Sequence, residues 1–216
     1  MPGYSGCMSN TNHRIGLLIA TLAFLAIASV ACSGDSDGDA KSISESTVAN
    51  FATCEGFIDA STVESQTGVS GLIDRIQVID VASIPGLAES GATDNCLIEV
   101  FRTVDSNDSP APGDSVSVSL VRFEVVETAA LLYNSTLAAG ILTAEQIGDL
   151  GDIQQGVVGN DSYLMVVDAG GVGAIVVFVH GSVFISMSSA TNADGNALLD
   201  REALVTAAQG VQSRLP

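Results

Sequence analysis

Tryptophan is absent from this chain of 216 residues, aromatic residues make up 5% of it, and there are 7 Lys and Arg against 25 Asp and Glu. So few cations exclude a nucleic-acid partner, because phosphate binding depends on clustered Lys and Arg. The same shortage excludes electrostatic adhesion to anionic lipid headgroups, so any membrane attachment must come from a hydrophobic or covalent anchor. Histidine occurs twice, as His13 and His180, and cysteine four times. There is no Cys-x-x-Cys, no His-Glu-x-x-His, no Gly-x-Ser-x-Gly elbow and no phosphate loop. These absences leave no zinc site, thiol redox couple, hydrolase triad or nucleotide cradle to read, and neither metal nor cofactor is expected. Charged residues in general are scarce at 15%, while hydrophobic ones reach 47%. Disordered chains show the reverse balance, so a folded protein is expected.

What is present is organised around Ile15–Ala31, an uncharged and mostly apolar run preceded by His13 and Arg14 and followed by Cys32. Beyond Cys32 the chain turns abruptly polar, Ser33-Gly34-Asp35-Ser36-Asp37-Gly38-Asp39. A basic start, an apolar core and small residues at the break are the marks of an export signal. Ser29-Val30-Ala31-Cys32 resembles the lipobox of bacterial lipoproteins, with Ser29 where that family usually has Leu. The resemblance implies diacylglycerol transfer to the Cys32 thiol and cleavage before it. Plain secretion after the small-x-small Ser29-Val30-Ala31, or an uncleaved anchor, is the alternative. Either way the remainder is expected outside the cytoplasm, with Arg14 kept inside.

The expected organisation is therefore a signal peptide over 1–31, a flexible Ser/Gly/Asp tether over 32–50 and a single domain over 51–216. The tether is too polar to bury apolar surface against the entropy of ordering it. Asp35, Asp37 and Asp39 have the spacing of a calcium loop without its glycine or closing Glu, so they read as a solvated spacer. Within the domain Cys54 and Cys96 are the remaining pair, and in an exported protein they are expected to form a disulfide. Such a bridge stabilises by roughly 3–4 kcal/mol.

Periodicity then divides the domain. Helices are predicted over Ala60–Thr67, Val126–Gly140 and Asp200–Arg214. The first carries a capping box at Ser61–Glu64 and stops at Gly68. The second turns Ala130, Leu131, Asn134, Leu137 and Ala138 inward and stops at Gly140. The third starts at an Asp200 cap, with Ala203, Leu204, Ala207, Ala208, Val211 and Leu215 as its apolar stripe. Strands are predicted over Arg75–Val81, Cys96–Thr103, Ser115–Phe123, Ser162–Asp168, Ala174–His180 and Ser182–Ser188, the last three as a meander broken at glycines. Ala82–Asp94 and Gly148–Gly159 read as loops. In Ser115–Phe123 the alternation of Ser115, Ser117 and Ser119 with Val116, Val118 and Leu120 marks one wet and one dry face. Clustered strands with few helices indicate an α+β fold, antiparallel sheet with helices packed on one side, in helix-strands-helix-strands-helix order.

Cys54, Thr62-Val63-Glu64, Gly68, Cys96, Val158-Gly159-Asn160-Asp161-Ser162-Tyr163, the Val177–Val183 hairpin and the Ala203–Leu215 helix together resemble small exported lipoproteins of actinobacteria. They also resemble the extracytoplasmic sensor domains of bacterial Ser/Thr kinases. The resemblance implies an α+β domain presented at the cell envelope. Those sensors carry further cysteines, which this chain lacks.

Chemistry is thinly represented. His180 stands beside Gly181 and needs a nucleophile and an orienting carboxylate before it can act as a base. Asp149, Asp152 and Asp161 are the carboxylates near enough in sequence to form an acid pair, and Asp105, Asn107, Asp108 and Asp114 crowd one Pro-rich connection. The expectation is a non-catalytic, lipid-anchored envelope protein on the outer side of the cell membrane, whose domain binds an envelope protein or a small apolar ligand. The alternative is a hydrolase with a site near His180.

Overall fold

The computed structural model describes residues 49–102, 110, 111, 113–168 and 173–216, all within a compact unit Ser44–Pro216. Ile15–Ala31, Cys32 and the three aspartates after it lie outside the described residues, as do Asp105, Asn107 and Asp108.

Helix α1 spans Ala60–Thr67, as its composition predicts, and Gly68 ends it at φ 69°, where a missing Cβ removes the steric cost. Its cap differs from the expected Ser61–Glu64 box. The N-cap is Asp59, two positions earlier, whose carboxylate accepts the Thr62 N–H at 2.7 Å and the Ser61 hydroxyl at 2.7 Å. Glu64 is thereby free to accept the Leu72 N–H at 2.9 Å, which ties the helix to the start of the next strand. Burial alone would raise the Asp59 pKa, but the Ser61 and Thr62 hydrogen bonds and the Arg214 charge outweigh it and hold the carboxyl below its ordinary value. A carboxyl acidified by folding stabilises above its unfolded pKa, near 4, and loses that contribution as pH falls through the lower folded value. Asn caps helices as well as Asp does. Asp59→Asn is therefore expected to melt below the parent chain at neutral pH, with the gap closing below about pH 4. Thermal unfolding across that range checks it, and a gap independent of pH would contradict the assignment.

Strand β1, Leu72–Val78, starts and ends three residues before the expected Arg75–Val81. The chain leaves the sheet at Asp80, whose carboxylate accepts the Ala82 N–H at 3.0 Å and caps a single 3-10 turn over Val81–Ser83. The supposed loop Ala82–Asp94 also holds a short helix α2, Pro85–Glu89, with proline in its first turn where no N–H is needed. Strands β2, Ala92–Arg102, and β3, Ser115–Phe123, follow.

Helix α3 runs over Val126–Ile147 and passes straight through Gly140, which was expected to stop it. Gly140 is buried there, and a Cβ on it would stand 3.3 Å from Ile153 and 3.6 Å from the Met165 sulfur. The glycine thus lets the helix approach the sheet instead of ending it. The inward face is also corrected: Ala129, Tyr133 and Gly140 are buried, whereas Leu131 is 69% exposed. No charge falls between Glu127 and Glu145, so the sequence pattern does not choose a face, and the larger contact surface of Tyr133 does.

The second half contributes β4 (Gly151–Gln155), β5 (Ser162–Val167), β6 (Gly173–His180), β7 (Val183–Ser189) and helix α4 (Arg201–Arg214). β4 replaces part of the expected Gly148–Gly159 loop: it is a short edge strand whose polar residues hide its pairing with β5. α4 is capped by Asp200, whose carboxylate accepts the Ala203 N–H at 2.9 Å. Near its end Arg214 donates to the carbonyl of Phe57 at 3.0 Å, tying the last helix to the segment before α1.

The seven strands make one antiparallel sheet in the order β1-β2-β3-β7-β6-β5-β4. Two meanders, β1–β3 and β4–β7, meet edge to edge where β3 pairs with β7. The α+β class and antiparallel sheet are as expected, but the helices flank both faces instead of one. α1 and α4 cover the face carrying Ile98, Val118, Leu120, Phe178, Ile185 and Met187. α3 covers part of the opposite face, over Val121, Tyr163, Met165, Val177 and Phe184. The cause is visible in β5, where all six residues are buried: a strand apolar on both sides must be covered on both. Among the described residues no helix is long and apolar enough to cross a membrane.

Candidate functional site

The cysteine pair is joined as expected. Cys54 and Cys96 form a disulfide with Cα atoms 5.5 Å apart, and both are fully buried. Cys54 is held at φ 57°, a conformation uncommon for any residue but glycine. Phe51 and Phe57 meet edge to face at 4.9 Å in the same buried cluster, and Arg122 lies over the Phe51 ring at 4.6 Å while its guanidinium grips Asp94.

His180 closes β6 opposite Val183, with Gly181 in the turn between them. No hydroxyl or carboxylate is hydrogen-bonded to it among the described residues, so the constellation a hydrolase needs is not assembled there. Asp152 and Asp161 are not brought together either. Asp152 pairs with Val166 on β4 and shares a face with Gln154, away from α3. Asp161 precedes β5, about 16 Å along the strand from that position, and its charge acts on Tyr133 of α3. Asp114 is engaged by Arg102 at 2.6 Å. Among the described residues no group of three or more His, Cys, Asp or Glu is placed to hold a metal ion.

The feature that stands out is a group of half-buried serines on the sheet face that α3 partly covers. Strand parity puts Ser115, Ser117 and Ser119 of β3 on the same face as Val121, and Ser186 and Ser188 of β7 on the same face as Phe184. The register sets Ser117 beside Ser188 and Ser119 beside Ser186. Four serines therefore form a two-by-two block on the central strands. One row continues outward through Glu99 to Arg75, and the other through Leu97 to Gln77. Inward, both rows pass to Ile175 and Val177 beneath α3. The face thus grades from an apolar half under the helix to a hydroxyl-lined half open beside it.

None of the four hydroxyls is hydrogen-bonded to protein among the described residues. Arg75 bounds the block: it pairs with Glu99 at 3.4 Å and lies 4.9 Å over the Phe101 ring, which it covers. Central strands facing a helix are ordinarily apolar, so a serine block there marks surface meant to stay wet or to meet a polar partner. Each hydroxyl both donates and accepts, and their spacing follows the strand repeat. Such a surface can bind a ligand rich in hydroxyl or amide groups by many weak hydrogen bonds, and Glu99, the carboxylate in the row beside Ser117, is paired with Arg75. The wet face of Ser115–Phe123 is legible from alternation alone. Its partner residues Ser186 and Ser188 are missed because only the β3–β7 pairing brings them alongside.

No protein-family model and no curated protein matches the chain. Among solved structures it is similar to the extracellular domain of PknH from Mycobacterium tuberculosis, at 11% identity and a TM-score of 0.48, covering 73% of this chain and 91% of that one.

Proposed function

We propose that this protein is a membrane-anchored bacterial envelope lipoprotein, held by a lipid on Cys32, whose non-catalytic domain binds a polar, hydroxyl-rich ligand of the envelope on its open serine face. The observation that carries the binding half of this reading is the block of Ser117, Ser119, Ser186 and Ser188 on the two central strands, with hydroxyls that no described protein group satisfies. It favours a cell-wall saccharide over the small apolar ligand expected from the sequence, since the open half of the face offers hydrogen-bonding groups. The export reading rests on Ile15–Ala31 and on a buried disulfide, which persists in oxidising compartments and is rare in the cytosol.

The test joins two measurements. Mass spectrometry of the mature N-terminus should find Cys32 first and diacylated; an unmodified Cys32, or a chain that still starts at Met1, overturns the anchor. Sedimentation with isolated cell-wall material should pull down the parent chain, and Ser117→Val with Ser188→Val should abolish it while the far-ultraviolet spectrum stays unchanged. Retention by the valine variant equal to the parent overturns the serine face.

A further inference from the structure

Strand β1 forms one edge of the sheet, and its backbone faces alternate. Ile79 donates its N–H to the Asn95 carbonyl at 2.9 Å, so Ile73, Arg75 and Gln77 turn their backbone toward β2. Leu72, Asp74, Ile76 and Val78 then turn theirs outward. The outward N–H of Leu72 is taken by Glu64, and beyond Val78 the chain leaves the sheet at its Asp80 cap. What stays unpaired in the outward backbone, among the described residues, is Asp74, Ile76 and Val78, a set symmetrical about Ile76, while the Asp74 carboxylate accepts the Ala60 N–H at 3.1 Å. Ile76 is 36% exposed and Val78 57%, on an edge where natural proteins usually hide such groups. The opposite edge, β4, is shorter and carries Asp152, Gln154 and Gln155.

We propose that β1 pairs antiparallel with β1 of a second copy across a two-fold axis at Ile76, so that the sheet continues from one molecule into the next. The register follows from charge. A two-fold axis perpendicular to the sheet sets outward-facing residues opposite outward-facing residues. Centred on Ile76, Asp74 faces Val78 of the second copy, Ile76 faces its counterpart, and Val78 faces Asp74. Each of these pairs exchanges two hydrogen bonds, about six in all. On the other face Arg75 meets Gln77. Moving the axis to Arg75 sets two guanidinium groups opposite, moving it to Asp74 sets two carboxylates opposite, and moving it to Gln77 sets Asp74 against Asp80. Like charges directly opposite are destabilising, so the Ile76 register is the one of these four free of that cost. This self-complementarity is the argument for a second copy over an unrelated strand. The formal net charge of −18 works against the pairing at low ionic strength, so the dimer should strengthen with added salt.

The experiment is disulfide trapping of the full chain in detergent, with the parent chain as background for its own cysteines. Directly paired residues of this kind lie about 5.5 Å apart at Cα, within disulfide range. Ile76→Cys is expected to give a covalent dimer on a non-reducing gel at least about tenfold above both the parent and Leu131→Cys, an exposed control on α3. Ile76→Lys, which sets two ammonium groups on the axis, should abolish the non-covalent dimer seen by analytical ultracentrifugation while leaving the circular dichroism spectrum intact. A parent chain that sediments as a monomer at about 0.1 mM protein and about 0.5 M salt overturns the proposal. So does trapping of Ile76→Cys no stronger than Leu131→Cys, or a mixed disulfide with another envelope protein in place of the homodimer.

Discussion

Replacing Cys54 and Cys96 together by alanine is expected to lower the free energy of unfolding by about 4 kcal/mol, close to half of what a domain of this size ordinarily has. The magnitude follows from the loop: the two cysteines are 42 residues apart, and opening the bridge returns that loop's freedom to the unfolded chain. The folded state also holds Cys54 in the left-handed region at φ 57°, a conformation that costs an alanine about 1 kcal/mol and that the bridge holds in place. Without the bridge, residues 49–58 keep the Asn50–Glu55 backbone bond, the Phe51–Phe57 contact, Arg122 over Phe51, and the Arg214 bond to Phe57. These are few, so hydrogen exchange should rise first in this segment and only later in β2. Urea denaturation of the double variant measures the loss, and a change of less than about 1 kcal/mol would show that packing around Phe51 and Phe57 does the work alone.

How much of this was legible in the sequence depends on how local each signal is. Helix α1 and strand β3 fall where periodicity and end signals place them, and α4 does so to within its Asp200 cap, because caps, alternation and apolar stripes act within a few residues. The disulfide was legible by elimination, since the expected signal and lipidation take Cys7 and Cys32 and leave Cys54 and Cys96 as the remaining pair. The inward face of α3 was not, because Thr128–Ala144 is uncharged all round and any face would bury well. β4 was hidden by Gly151, Asp152 and Gln154, residues more common in turns than in strands. The placement of helices on both faces was readable in principle from β5 and β6, whose continuous apolar runs leave no wet side. The candidate surface lay furthest out of reach. Ser117 and Ser188 are neighbours through β3–β7 pairing, a contact between two meanders far apart in sequence that no local pattern announces.

The centre of the larger core is set by β6, and Phe178→Ala is expected to cost about 3–5 kcal/mol. Phe178 is fully buried, pairs with Ser162 on β5 and Ile185 on β7, and belongs to the cluster that α4 closes with Leu204, Ala207, Ala208 and Val211. Two of these four are alanines, Ala207 and Ala208, short side chains that cannot swing into the space a phenyl ring leaves. Collapse around the gap would need α4 to move as a whole. That movement is resisted at one end by the Asp200 cap and at the other by the Arg214 bond to the Phe57 carbonyl. The loss should therefore lie toward the upper part of the range, with Phe178→Leu recovering more than half of it because the ring's volume is partly kept. Leu131→Ala makes the contrasting case, since Leu131 is 69% exposed on the outer side of α3 and should change stability by less than about 0.5 kcal/mol. Urea midpoints with unchanged slopes would show that both variants are read as changes of stability and not of the denatured state. Should Leu131→Ala prove as costly as Phe178→Ala, α3 would have to turn its Leu131 side to the sheet, and the open serine face beside it would no longer hold.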